Sequence, residues 1–143
     1  MFSKLKSLNS IASPLEWEKI TEEDVLNFIK KDPSTIRRKD ETGAFPLHNS
    51  IISGAKLEVV KLIYNFYPDA IYEKSEGYLP IHFAADDPKR HYLVLSLAKF
   101  YTESLIIKDD KNRSPVDMVI NEKNLNLSQK LYKLYYDFMN KKN

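Results

Sequence analysis

The hexapeptide Gly43-Ala44-Phe45-Pro46-Leu47-His48 returns 34 residues later as Gly77-Tyr78-Leu79-Pro80-Ile81-His82, with glycine, proline, an aliphatic residue and histidine in register. A third copy follows at an offset of 35, Asn112-Arg113-Ser114-Pro115-Val116-Asp117, with asparagine in place of glycine and aspartate in place of histidine. Asparagine accepts a positive φ more readily than most non-glycine residues, so the first exchange preserves the backbone. The register continues beyond the head: Val59-Val60 answers Leu93-Val94, Phe66 answers Phe100, Ile71 answers Leu105 and Lys74 answers Lys108. A period of this length describes a supersecondary unit that cannot hide its apolar side alone and must lean on a neighbour.

Each unit reads as helix, turn, helix and extended arm. Pro46, Pro80 and Pro115 suit the first helical position, where the missing N–H has no partner to lose. Ser114 is a hydroxyl cap for the third copy; Phe45 and Leu79 supply none to the other two. Leu47 and Ile51, then Ile81, Ala84 and Ala85, form the apolar side of a short first helix, which Gly54 and Pro88 stop. Val59, Leu62, Ile63 and Phe66 set the inward face of the second helix, as do Leu93, Val94, Leu97 and Phe100 one unit later. Tyr67-Pro68 closes that helix, and the polar run from Asp69 to Gly77 suits a turn or hairpin arm.

The flanks read as caps. Ser13-Pro14-Leu15-Glu16 and Thr21-Glu22-Glu23-Asp24 are helix starts, the second helix carrying Val25, Leu26, Phe28 and Ile29 before Asp32-Pro33. At the other end Leu127, Leu131, Leu134, Tyr135 and Phe138 share one helical face. Ahead of these, Phe2, Leu5, Leu8 and Ile11 recur about every three residues, as in a docked N-terminal turn or a surface helix. With 143 residues the chain holds one all-α domain, 1–143, of about four units: 13–40, 41–74, 75–108 and 109–143.

The head motif, the run Leu57-Glu58-Val59-Val60-Lys61-Leu62-Ile63 and the period resemble ankyrin repeats. The likeness is specific over 41–108, degenerate over 109–143 and carried by helix pattern alone over 13–40. Phe45 and Leu79 stand where the family has threonine, and Pro88 where it has the interhelical glycine. The resemblance implies a helix-turn-helix solenoid with short hairpin arms, in which Gly43, Pro46, His48, Gly77, Pro80, His82 and Pro115 are structural. The two motif histidines would hydrogen-bond across units; at the roughly 10 Å spacing of packed helix layers they could not share a metal. First helices and arm tips would line a concave surface. Its free positions are Asn49, Ile52 and Ser53, then Phe83, Asp86 and Asp87, then Met118, Asn121 and Glu122, with Glu41, Thr42, Glu76, Tyr78, Lys111 and Arg113 at the tips. Ile52, Tyr78, Phe83 and Met118, flanked by Asp86, Asp87 and Arg113, make the expected partner-binding strip, offering on the order of 800 Å².

The rest of the composition bears on function class. There are no cysteines, which removes thiol nucleophiles and Cys-based zinc sites and favours an intracellular home, cytoplasmic or nuclear, with delivery into another cell left open. Net charge is +2, and residues 1–75 carry 11 charges of each sign, so no nucleic-acid face is expected. The cations Lys30, Lys31, Arg37, Arg38 and Lys39 are interrupted by Asp32 and followed by Asp40 and Glu41, which suits a solvated loop. No apolar run is long enough to span a membrane. His91 with Asp86 and Asp87 is too sparse for a metal site, and no phosphate loop or nucleophile–base pair is visible. The reading is a non-enzymatic, cofactor-free, monomeric module that binds another protein as adaptor, inhibitor or assembly factor. The alternative is a self-associating component of an assembly using Tyr132, Tyr135, Tyr136 and Phe138.

Overall fold

The computed structural model describes residues 14–142, so the Phe2–Ile11 pattern and the Ser13 cap lie outside the described residues. Among the described residues the chain is all-α, without a strand. Eight α-helices follow in order: α1 Pro14–Lys19, α2 Glu22–Lys31, α3 Pro46–Ile52, α4 Leu57–Phe66, α5 Pro80–Ala85, α6 Val94–Phe100, α7 Pro115–Asn121 and α8 Leu125–Lys142. They fall into two compact units divided between Glu76 and Gly77, two residues beyond the 74/75 boundary read from the repeat.

In the first unit α2 and α3 both pack on α4. Thr21 and Asp24 form the expected reciprocal cap, with the Asp24 N–H donating to Thr21 Oγ1 at 3.1 Å and the Thr21 N–H to Asp24 Oδ2 at 2.9 Å. Leu47 and Ile51 of α3 are buried, as are Val59, Val60 and Ile63 of α4. Phe66 departs from the expected inward face and is 46% exposed. It occupies the last position of α4, where Tyr67-Pro68 ends the helix before anything can cover the ring.

In the second unit α5 packs on α6 and α7, and α8 packs on α6 and α7. The proline starts of α3, α5 and α7 all hold. The second helix of this copy is shorter than its pattern suggests, because Pro88 opens a 3-10 turn over Pro88–Leu93 and α6 begins only at Val94. Its inward residues Leu93, Val94 and Leu97 are buried all the same.

The arms also differ from the polar turn expected of them. Pro33–Arg37, Pro68–Tyr72 and Thr102–Ile106 are 3-10 turns, each burying one aliphatic side chain, Ile36, Ile71 or Leu105. These anchors recur with the repeat and fix where each arm leaves its helix. Gly43 (φ +82°) and Asn112 (φ +64°) both adopt the left-handed backbone anticipated from their exchange. A Cβ on Gly43 would meet nothing within 4 Å, so only backbone strain opposes substitution there. Gly43→Asn is therefore expected to leave the urea midpoint almost unchanged, whereas Gly43→Val costs about 1–2 kcal/mol.

Candidate functional site

The three histidines come first, because a catalytic or metal role would need them free. The Phe45 N–H donates to His48 Nδ1 at 3.0 Å, and the Leu79 N–H donates to His82 Nδ1, also at 3.0 Å. Each ring therefore carries its proton on Nε2, which donates to a carbonyl 25 residues on: Glu73 at 2.7 Å and Ile107 at 2.9 Å. Both side chains are wholly buried. The imidazole thus does the capping that the missing hydroxyl at Phe45 and Leu79 would have done, and ties each helix start to the following arm. Burial pushes His48 below the usual imidazole value of 6.5, against the upward pull of the Glu73 carbonyl and the Asp40 charge. His91 is buried too, with Nε2 donating to the Ala85 carbonyl at 2.9 Å and Nδ1 accepting from Asn124 Nδ2 at 3.0 Å. Among the described residues no group of three His, Asp or Glu side chains is arranged to hold a metal ion.

In the third copy the exchange of histidine for aspartate makes a capping box with Ser114: the Ser114 N–H donates to Asp117 Oδ2 at 2.9 Å and the Asp117 N–H to Ser114 Oγ at 3.1 Å. Asp117 Oδ2 also pairs with Lys108 Nζ at 3.0 Å. The backbone N–H of Ser114 and the Lys108 ammonium hold this carboxyl below the ordinary carboxylate value.

The expected strip is realised in part. Arg113, at the third arm tip, is the hub of the second unit. Its Nε and Nη2 donate to Asp109 Oδ2 at 3.1 and 3.0 Å, Nη1 reaches Asp86 Oδ1 at 3.3 Å, and Nη2 also donates to the Tyr78 hydroxyl at 2.9 Å. The guanidinium lies 5.9 Å from the Tyr78 ring centroid, and Tyr78 and Phe83 pack tilted at 5.1 Å between centroids. Both aromatic rings are half-buried. Asp87 stands beside them, accepting from the Lys89 N–H at 2.9 Å and pairing with Arg90, whose Nε donates to the Phe83 carbonyl at 2.7 Å. Tyr78, Phe83, Asp86 and Arg113 therefore meet as one platform with Asp87 at its rim. The Tyr78 oxygen accepts from Arg113, and no described residue accepts its hydroxyl proton, which remains available to donate.

Two strip residues are placed otherwise. Met118 is 2% exposed and cannot touch a partner. The reason is tertiary: α7 is packed against both α5 and α8. Ile52 is exposed and belongs to the first unit.

Sequence reasoning missed Asp109, which sets Arg113 in place. Its side chain is fully buried, and Oδ1 accepts the Lys111 and Arg113 N–H groups at 2.9 and 2.8 Å. Burial alone would raise this carboxyl, but the Arg113 N–H, its guanidinium and the Lys111 N–H outweigh it and hold the pKa below 3.8. Asp40 plays the same part in the first unit, taking the Thr42 and Ala44 N–H groups at 2.8 and 3.0 Å and the Asn49 amide at 3.0 Å. The signal was present as an aspartate three residues before each left-handed turn residue, Asp40 before Gly43 and Asp109 before Asn112. The basic stretch is partly spent within the unit: Arg38 pairs with Asp32, and Lys39 lies 5.3 Å from the Phe45 ring centroid.

No protein-family model matches the chain, and no curated protein is significantly similar to it.

Proposed function

We propose that the chain is built of ankyrin-type helix-turn-helix repeats and serves as a non-catalytic module that binds another protein through the face presented by α5 and the arm tips of the second unit. The repeat period, the proline-started first helices and the twice-repeated histidine bridge support the ankyrin reading. The observation that carries the function is the platform of Tyr78 and Phe83 around Arg113. Aromatic rings and an arginine, half-buried and held by several hydrogen bonds, lose little side-chain entropy on binding and are the residue types that dominate interface energetics. With His48 and His82 spent on backbone groups and His91 on the Ala85 carbonyl and the Asn124 amide, the histidines here are arranged for rigidity.

The partner that meets this face brings a hydrogen-bond acceptor to the Tyr78 hydroxyl and apolar surface to the Phe83 ring. Affinity purification followed by mass spectrometry is expected to recover it with the intact chain. The double variant Tyr78→Ala/Phe83→Ala loses that partner, since each buried aromatic anchor contributes about 2 kcal/mol or more, and keeps its far-UV circular dichroism. Undiminished recovery of the same partner by the double variant would refute the assignment of this face.

A further inference from the structure

Helix α8 has a second apolar side. Its buried face, with Leu127 and Leu131, is committed to its own unit. Leu125, Tyr132, Tyr136 and Met139 are 65%, 55%, 67% and 40% exposed. Spaced by seven, four and three residues, they fall within about 60° of the helix circumference, centred about 130° from Leu127 and Leu131, and run about 21 Å along the axis. Lys130 and Lys141 lie about 150° or more from the centre of this stripe, and its flank on one side is Gln129, Asn140 and the Lys133–Asp137 pair, which closes on itself at 3.4 Å.

Beside the stripe lies a groove of about 200 Å³, lined by Leu105, Ile106, Val116, Tyr132 and Tyr135 together with Ser114 and Asp117. That is below the roughly 300–1,000 Å³ of small-molecule sites and suits a single side chain. An apolar lining that includes a carboxylate matches a phenol, which has an apolar body and a donating tip; Asp117 Oδ2 is taken by the Ser114 N–H and Lys108, so Oδ1 is the acceptor. The most exposed phenol of this helix, Tyr136, sits next in sequence to a groove wall. A knob and a hole side by side on one surface are what an isologous two-fold contact requires, each knob filling the other copy's hole.

We propose that this face is a two-fold interface between two copies of the chain, with Tyr136 of each copy seated in the Leu105–Val116–Tyr135 groove of the other and its hydroxyl donating to Asp117. This departs from the monomer expected from the sequence and takes up the self-association reading with a defined contact. The two exposed tyrosines with Leu125, Met139 and Ile106 present on the order of 500 Å² per copy, about 1,000 Å² in all, the lower limit for a specific interface. The dimer is therefore weak and depends on concentration. It uses none of the Tyr78–Phe83 platform, so the two proposals fail separately.

Sedimentation equilibrium of the full chain from about 1 μM to about 500 μM tests it. The average mass is expected to climb from 16.7 kDa towards twice that value. Tyr136→Glu stays at the monomer mass throughout with unchanged circular dichroism, and Tyr136→Phe, which keeps the ring and loses the donor, dimerises several-fold more weakly. Leu26→Glu, at an exposed apolar position outside α8, dimerises as the wild type does. A wild type that remains monomeric overturns the proposal, whether or not it co-sediments with vesicles of phosphatidylcholine and phosphatidylserine. A Tyr136→Glu variant that dimerises normally overturns it as well.

Discussion

Replacing His48 by alanine is expected to lower the unfolding free energy by about 2–4 kcal/mol, a large share of the 5–15 kcal/mol typical of a domain. The ring is fully buried and makes two short hydrogen bonds to main-chain groups. Its removal strands the Phe45 N–H at the start of α3, releases the Glu73 carbonyl and opens a cavity beneath the arm. Urea denaturation measures the loss. The same bonds make stability depend on pH. His48 accepts at Nδ1, and a proton there would set it donor to donor against the Phe45 N–H. Its folded pKa lies below the unfolded 6.5, so its contribution is complete above 6.5 and declines as pH falls below that value towards the folded pKa. Asp40, Asp109 and Asp117 have folded values below the unfolded 3.8, and their contributions are lost only as pH falls through that lower range. The stability profile therefore falls in two stages. His48→Ala flattens the part of the first stage that His48 contributes and keeps the second. A wild-type profile level from pH 7 to 5 would contradict the histidine assignment.

The second large effect belongs to Asp109. Asp109→Ala removes four hydrogen bonds at once, leaving the Lys111 and Arg113 N–H groups and a partly buried guanidinium without their acceptor. A cost of about 2–4 kcal/mol follows from the desolvated groups left behind. Because Arg113 is held under Tyr78 by this carboxylate, the substitution also disperses the platform, and recovery of the bound partner drops along with stability. Arg113→Lys separates the two effects. Lysine keeps the charge beside Asp109 but cannot reach Asp109, Asp86 and Tyr78 together from one planar fork, so capture falls more than stability does. Equal capture by wild type and Arg113→Lys would show the guanidinium network to be irrelevant to binding.

These two residues also show what kind of information a sequence carries. The starts of α3, α5 and α7 were legible because proline at the first helical position is local chemistry, and so were the Thr21–Asp24 cap and the asparagine that replaces a left-handed glycine. His48 and His82 were recognised as structural, but the capping bond to Phe45 and Leu79 was not seen. The capping atom is normally an oxygen at the helix start, and here it is a ring nitrogen three residues further on. Asp109 was overlooked because two carboxylates 69 residues apart, with Lys74 at the intermediate position, do not look like a recurrence. Of the platform, Tyr78, Phe83, Asp86 and Arg113 were placed on one strip by the concave surface that the repeat resemblance implies.

Met118 marks the limit of that register. Proline, glycine and capping residues act through φ and through bonds spanning three or four positions, so their consequences can be read along the chain. Whether a side chain ends in solvent depends on what lies across from it, and that is decided by segments distant in sequence. Met118 ends buried in a helix packed by both α5 and α8, while Tyr132 and Tyr136 of α8 end exposed and Tyr132 and Tyr135 line the groove beside them. None of this is written in the apolar face of Leu127, Leu131, Leu134, Tyr135 and Phe138 that made α8 recognisable, because that pattern specifies which side of a helix is buried without specifying against what. Local order came from the sequence; exposure, and with it each surface proposed to bind, came from packing.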